Sequence, residues 1–115
     1  MVLHVTRAMH IPPDQPPIRL EAGDVVRVGD ADRVWPDFVF VLATNGVGWV
    51  PRNKLSEARP LATVLETYDT RELAVHAGAR VELVHRDDSG WAWCRSTQGS
   101  EGWLPLSCLD LAPQG

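Results

Sequence analysis

The sequence predicts an all-β chain in which one unit is used twice. Apolar residues alternate with a period of two through most of the chain, as half-buried strands require. A string of Gly, Trp, an aliphatic residue, Pro, three further residues and Leu occurs twice, at Gly48–Leu55 and Gly102–Leu109. No stretch combines apolar residues at helical spacing with a capping residue, so no helix of useful length is expected.

The first unusual stretch is "IPPDQPPI", Ile11 to Ile18, with four prolines in eight residues and a Pro13-x-x-Pro16 pattern. After it, "PIRLEAGDVVRVG" sets Ile18, Leu20, Val26 and Val28 on one face around a turn. "ELAVHAGARVELV" does the same with Leu73, Val75, Val81 and Leu83, at an offset of 55 residues. "FVFV" (Phe38 to Val41) matches "WAWC" (Trp91 to Cys94) at an offset of 53, and the two Gly-Trp strings follow at 54. Each half therefore reads as about five short strands. The boundaries predicted are 1–56 and 61–112, with the linker at 57–60 inside "SEARP". So short a linker reaches at most roughly 17 Å.

Composition narrows the function. The 115 residues carry a net charge of −4, and 44% are hydrophobic, which suits a globular chain. An acidic chain without a basic run is a poor binder of phosphate backbones, so no nucleic-acid role is expected. No apolar run approaches 18 residues, and "MVLHVTRAMH" lacks the features of a secretory signal; no membrane association and a cytoplasmic location are expected. The four histidines and two cysteines show no ligand spacing, so neither a metal nor a cofactor is expected. No phosphate loop or nucleophile elbow is present, and the chain is not expected to be an enzyme.

Trp91 and Trp93 share one face of their strand, with Ala92 and Cys94 on the other. Cys94 matches Val41 and is expected in the core, with Cys108 the more accessible thiol. The tryptophans then form either a binding platform or a packing surface for the linker or the other half. Trp35, in "VWPDF", falls in a loop.

The order strand, turn, strand, aromatic strand, "GWLP", Leu resembles the Src-homology-3 (SH3) family, whose pattern runs "ALYDY", "ELSF..GD", "WW", "G.FPSNYV". In the second half "VLETY" (Val64 to Tyr68) falls on "ALYDY", "ELAV" on "ELSF", Gly90-Trp91 on the Trp motif and "GWLPLSCL" on "G.FPSNYV". The first half matches from Pro17 to Leu55. The whole chain resembles the tandem SH3 proteins of bacteria. This implies two SH3-like five-stranded, partly open barrels in tandem. The resemblance also puts "IPPDQPP" in the long loop that walls the family's ligand groove, so it is read as part of the fold rather than as a ligand.

By the resemblance, the groove of the second half is made of Tyr68, Trp91 and Pro105, with Trp93 beside them. Asp69 and Glu72 would border it on one side and Asp87 and Asp88 on the other. In the first half Phe38 and Pro51 keep groove positions, with Trp35 nearby and His10 nearest to a groove Tyr. Glu66, Cys108 and Lys54 stand where the family has tyrosines, which weakens proline-helix recognition. The function implied is a non-catalytic binding or scaffolding module for a protein or peptide partner, basic and proline-containing in view of the acidic loops. The alternatives are a structural or self-associating unit with its tryptophans buried between domains, and a binder of cell-wall peptides.

Overall fold

The computed structural model describes residues 3–110. Positions 111 and 112 of the second predicted domain lie outside them. Among the described residues the regular structure is β-strand with two 3-10 turns. The chain divides into two compact units, which are not its two sequence halves. One is continuous, Asp14–Thr70; the other is split, Met1–Pro13 with Arg71–Gly115.

The continuous unit holds β2 (Arg19–Leu20), β3 (Val25–Ala31), β4 (Phe38–Ala43), β5 (Gly46–Pro51), β6 (Leu61–Thr63) and β7 (Tyr68–Asp69). Strands β5, β4, β3 and β6 form an antiparallel sheet in that order, while β2 pairs with β7. Leu20, Val26, Val41, Val50, Ala62 and Val64 are buried. Leu20 and Val26 are among the alternate residues that the period-two pattern marked, while Val28, also marked, is only half-buried.

The split unit holds β1 (Leu3–Val5), β8 (Arg80–Arg86), β9 (Trp91–Ser96) and β10 (Glu101–Pro105), in the order β1-β8-β9-β10. Its core is Leu73, Val75, Val81, Ala92, Cys94, Leu104, Cys108 and Leu109. The two units agree in local detail. Gly23 and Gly78 both take φ near +90°, which favours glycine in the turn before β3 and before β8. The register slips once in each long strand, between Val28 and Ala31 and between Leu83 and His85, as β-bulges do.

The first strands are exchanged between the repeats. Thr6 bridges Leu109 and His10 bridges Val75, so the N-terminal segment completes the second repeat. Val64 bridges Leu55, and Tyr68 pairs with Leu20, so the segment after residue 60 completes the first. The predicted linker 57–60 is thus the turn of a hairpin inside the continuous unit. Ser56 Oγ accepts from the Thr63 N–H, the Ser56 N–H donates to the Thr63 carbonyl, and Arg59 Nη1 donates to the carbonyls of Ser56 and Ala58.

The reason lies in loop closure. Pairing 55 with 64 and 6 with 109 closes one loop of nine residues and one of 103. The unexchanged pairing, 6 with 55 and 64 with 109, closes two loops of over 40. By the logarithmic length law the exchanged pair is cheaper by about 0.8 kcal/mol. "SEARP" is too short to favour anything but turning straight back. "IPPDQPPI" forms no strand, and the chain passes from the split unit to the continuous one between its Pro13 and Asp14.

Candidate functional site

Exchange redistributes the residues that were predicted to meet. Tyr68 lies in the continuous unit, opposite Leu20, and Asp69 lies opposite Arg19. Trp91 and Pro105 lie opposite each other in the split unit, across β9 and β10. Of the expected triad, Tyr68 belongs to one unit and Trp91 and Pro105 to the other, and Asp69 and Glu72 are divided in the same way. A reading of sequence order alone gives each first strand to its own half, whereas the strand pairing links it to the other.

The split unit puts His10 in place of Tyr68. His10 meets Trp91 edge to face, with ring centroids 5.6 Å apart, and its Nε2 lies 2.8 Å from Glu72 Oε1. Glu72 is thereby held against the aromatic pair. Asp87 shapes the β8–β9 turn: its carboxylate accepts from the Ser89 N–H and its carbonyl from the Gly90 N–H. Asp88 beside it is exposed. Pro105 opens the 3-10 turn Leu106–Cys108.

Trp91 is only 8% exposed, which is nearer to the packing surface than to the platform of the two readings that the strand pattern left open. Trp93 is half-buried. Its Nε1 donates to Glu101 Oε1 at 2.7 Å, and its ring meets Trp103 at 5.2 Å. The indole N–H, followed by Arg95, holds the Glu101 carboxyl below the usual carboxylate range. An open cleft of about 590 Å³ lies beside Trp93, with Arg71, Glu72 and Glu101 on its walls.

The continuous unit carries the equivalent arrangement. Phe38 is opposite Pro51, and both are buried. Trp35 reaches Phe38 edge to face at 6.4 Å, in a turn fixed by Asp32, whose carboxylate accepts from the N–H groups of Val34 and Trp35. Phe40 and Trp49 meet at 5.1 Å, matching Trp93 and Trp103. Lys54 and Glu66, at two positions where the SH3 pattern has tyrosines, form an ion pair with Nζ 2.6 Å from Oε1. In the split unit the matching positions hold Cys108 and Ala8, and the Cys108 thiol donates to the Ala8 carbonyl at 3.1 Å. Sequence reading noted each substitution separately and missed the pairing. The opposite charges at matched positions of different halves were the available signal.

Both cysteines are unpaired and buried. Burial pushes the Cys94 thiol up to about 11, with Cys108 a lesser cause, and burial also raises Cys108. Cys94 sits in the core as expected. Cys108, expected to be the more accessible thiol, is 5% exposed against 0% for Cys94, so both are buried.

Comparison with known proteins bears on the fold and the module type. Residues 8–58 match the family model described as variant SH3 domain. SH3 and PX domain-containing protein 2B of Mus musculus is 32% identical over 108 aligned positions, covering 80% of this chain. SH3 and PX domain-containing protein 2A of Danio rerio is 36% identical over 45 positions, covering 39%. Myosin-1 of Laccaria bicolor is 43% identical over 42 positions, covering 36%. The chain spans 12% of the mouse relative's length and 3–4% of the other two. No solved structure matches. The described residues are all-β, and residues 8–58 are similar to SH3 domains. The relatives named come from animals and a fungus, and lend no weight to a bacterial source.

Proposed function

We propose that each unit is an SH3-like barrel completed by the other repeat's first strand. We further propose that the pair is a binding or scaffolding module acting mainly through the split unit. Three facts support the double barrel: the shared register of the two halves, the matched bulges, and a mouse relative aligned to 80% of the chain, well beyond residues 8–58. The observation that carries the binding reading is Trp91 opposite Pro105 with carboxylates on both flanks. Glu72 is tied to His10 beside Trp91, and on our reading the β8–β9 turn with Asp87 and Asp88, whose Asp87 N–H donates to the Trp91 carbonyl, supplies the other flank. Such a face suits a basic, proline-containing peptide of a partner protein. Phe38, Pro51 and Trp35, with Tyr68 and Asp69 brought in by exchange, form a second face of the same kind.

The groove is shallow by the standard of its family. The tyrosine ridges are replaced by His10, Ala8 and Cys108 in one unit and by Lys54 and Glu66 in the other. A weak affinity follows, roughly 0.1–1 mM, or about −4 to −5.5 kcal/mol. Titration of a proline-rich peptide bearing Arg or Lys, followed by amide shifts, should move the resonances of residues 87–91 and 106. Asp88→Asn and added salt should each weaken the binding, since Asp88 is exposed and its attraction is screened. Binding that ignores both changes, or that maps elsewhere, would overturn the proposal.

One observation favours a second reading. Trp91 and Trp103 are each only 8% exposed, as they would be in a structural or self-associating unit. On that reading the peptide moves no resonance, and sedimentation shows a concentration-dependent mass.

A further inference from the structure

We infer that Lys54 and Glu66 act as the lock that selects exchanged over unexchanged closure of the two repeats. The inference goes beyond the binding proposal and does not depend on it. Tyr68 lies opposite Leu20 as His10 bridges Val75, and Val64 bridges Leu55 as Thr6 bridges Leu109. Position 66 of one first strand is therefore equivalent to position 8 of the other, and position 54 is equivalent to position 108. Either first strand has a backbone that fits either repeat, because the ladders are the same. Selection must come from side chains and from loop lengths.

Exchanged closure puts Lys54 with Glu66 and Cys108 with Ala8. Unexchanged closure would put Lys54 with Ala8 and Glu66 with Cys108. Both new pairs are poor. The Lys54 side chain is only 10% exposed, and its ammonium would lose the Glu66 carboxylate. The Glu66 carboxylate would face a thiol that is buried and protonated. A charged pair matched in one arrangement and mismatched in the other discriminates through its penalty on the wrong state as well as its attraction in the right one. Glu66 keeps 63% of its side chain exposed, so the attraction alone is modest. The burial of Lys54 supplies the rest.

The test is a charge series in the full chain, read by amide spectra in which cross-strand contacts assign each set of signals. The native chain should give one set, with contacts between Thr6 and Leu109. Glu66→Lys sets two ammonium groups together in the exchanged state only. It should shift the ratio of states at least about tenfold, about 1.4 kcal/mol, toward a second set with contacts between Thr6 and Leu55. Glu66→Gln, which removes attraction without adding repulsion, should shift it less. Lys54→Glu combined with Glu66→Lys restores the attraction and should return the native set alone. The inference is overturned if neither single variant yields the second set, whether the chain stays exchanged or unfolds. It is overturned equally if the double reversal leaves the second set in place.

Discussion

Deletion of residues 3–10 should unfold the split unit and leave the continuous unit folded. The N-terminal segment is the outer strand of the β1-β8-β9-β10 sheet and also caps the core at Leu109. Thr6 is buried to 1% exposure, and its hydroxyl donates to the carbonyls of His76 and Ala79. Its backbone N–H donates to Ala79 and its carbonyl accepts from Gly78, while Val5 accepts from Asp110 and Arg7 donates to Cys108. What remains of the unit is about 40 residues, a size at which a single core rarely suffices. The indole N–H signals separate the outcomes. Trp91, Trp93 and Trp103 should collapse toward random-coil positions, while Trp35 and Trp49 stay dispersed. Unexchanged repeats would give the reverse.

A methyl group at position 102 should destabilise the split unit by about 3 kcal/mol. A Cβ built on Gly102 would lie 2.7 Å from the Glu72 carbonyl carbon and 2.7 Å from the Leu73 nitrogen. Both are backbone atoms and cannot rotate away. Relief requires moving residues 72–73 off β10, where the Trp103 N–H donates to Arg71 and the Leu73 N–H to Trp103. The same shift would carry Glu72 away from His10 and open the candidate site. Gly48 is the equivalent residue of the other repeat, but there the added Cβ meets the Thr70 Cγ2 at 3.0 Å. A side-chain methyl yields more easily than backbone, so Gly48→Ala should cost well under half as much. Denaturant midpoints of the two variants, compared at unchanged slope, give the difference.

Much of the strand layout was legible in the sequence. The period-two runs located β3 and β8, and the Gly-Trp string located β5 and β10 with the turns after them. The facing of β9 was also legible: Ala92 and Cys94 fill the core because they alternate with Trp91 and Trp93. The partner of each first strand was not. Alternation says which side of a strand is apolar and is silent on which of two equivalent sheets it joins. The exchange depends on a nine-residue closure against longer ones and on an ion pair between residues of different halves, neither of which alternation encodes. Among the candidate site residues Tyr68 and Asp69 fall in the continuous unit, while Glu72, Asp87, Asp88, Trp91, Trp93 and Pro105 fall in the split one. The strand pattern left Trp91 open between platform and packing surface, because it cannot show that His10 lies across the indole.

Exchange of the first strands is the claim on which the site, the lock and the deletion result all rest. Nuclear Overhauser contacts between backbone protons of the native chain test it most directly. The account predicts cross-strand contacts of Thr6 with Leu109 and of Val64 with Leu55. Contacts of Thr6 with Leu55 and of Val64 with Leu109 would contradict it.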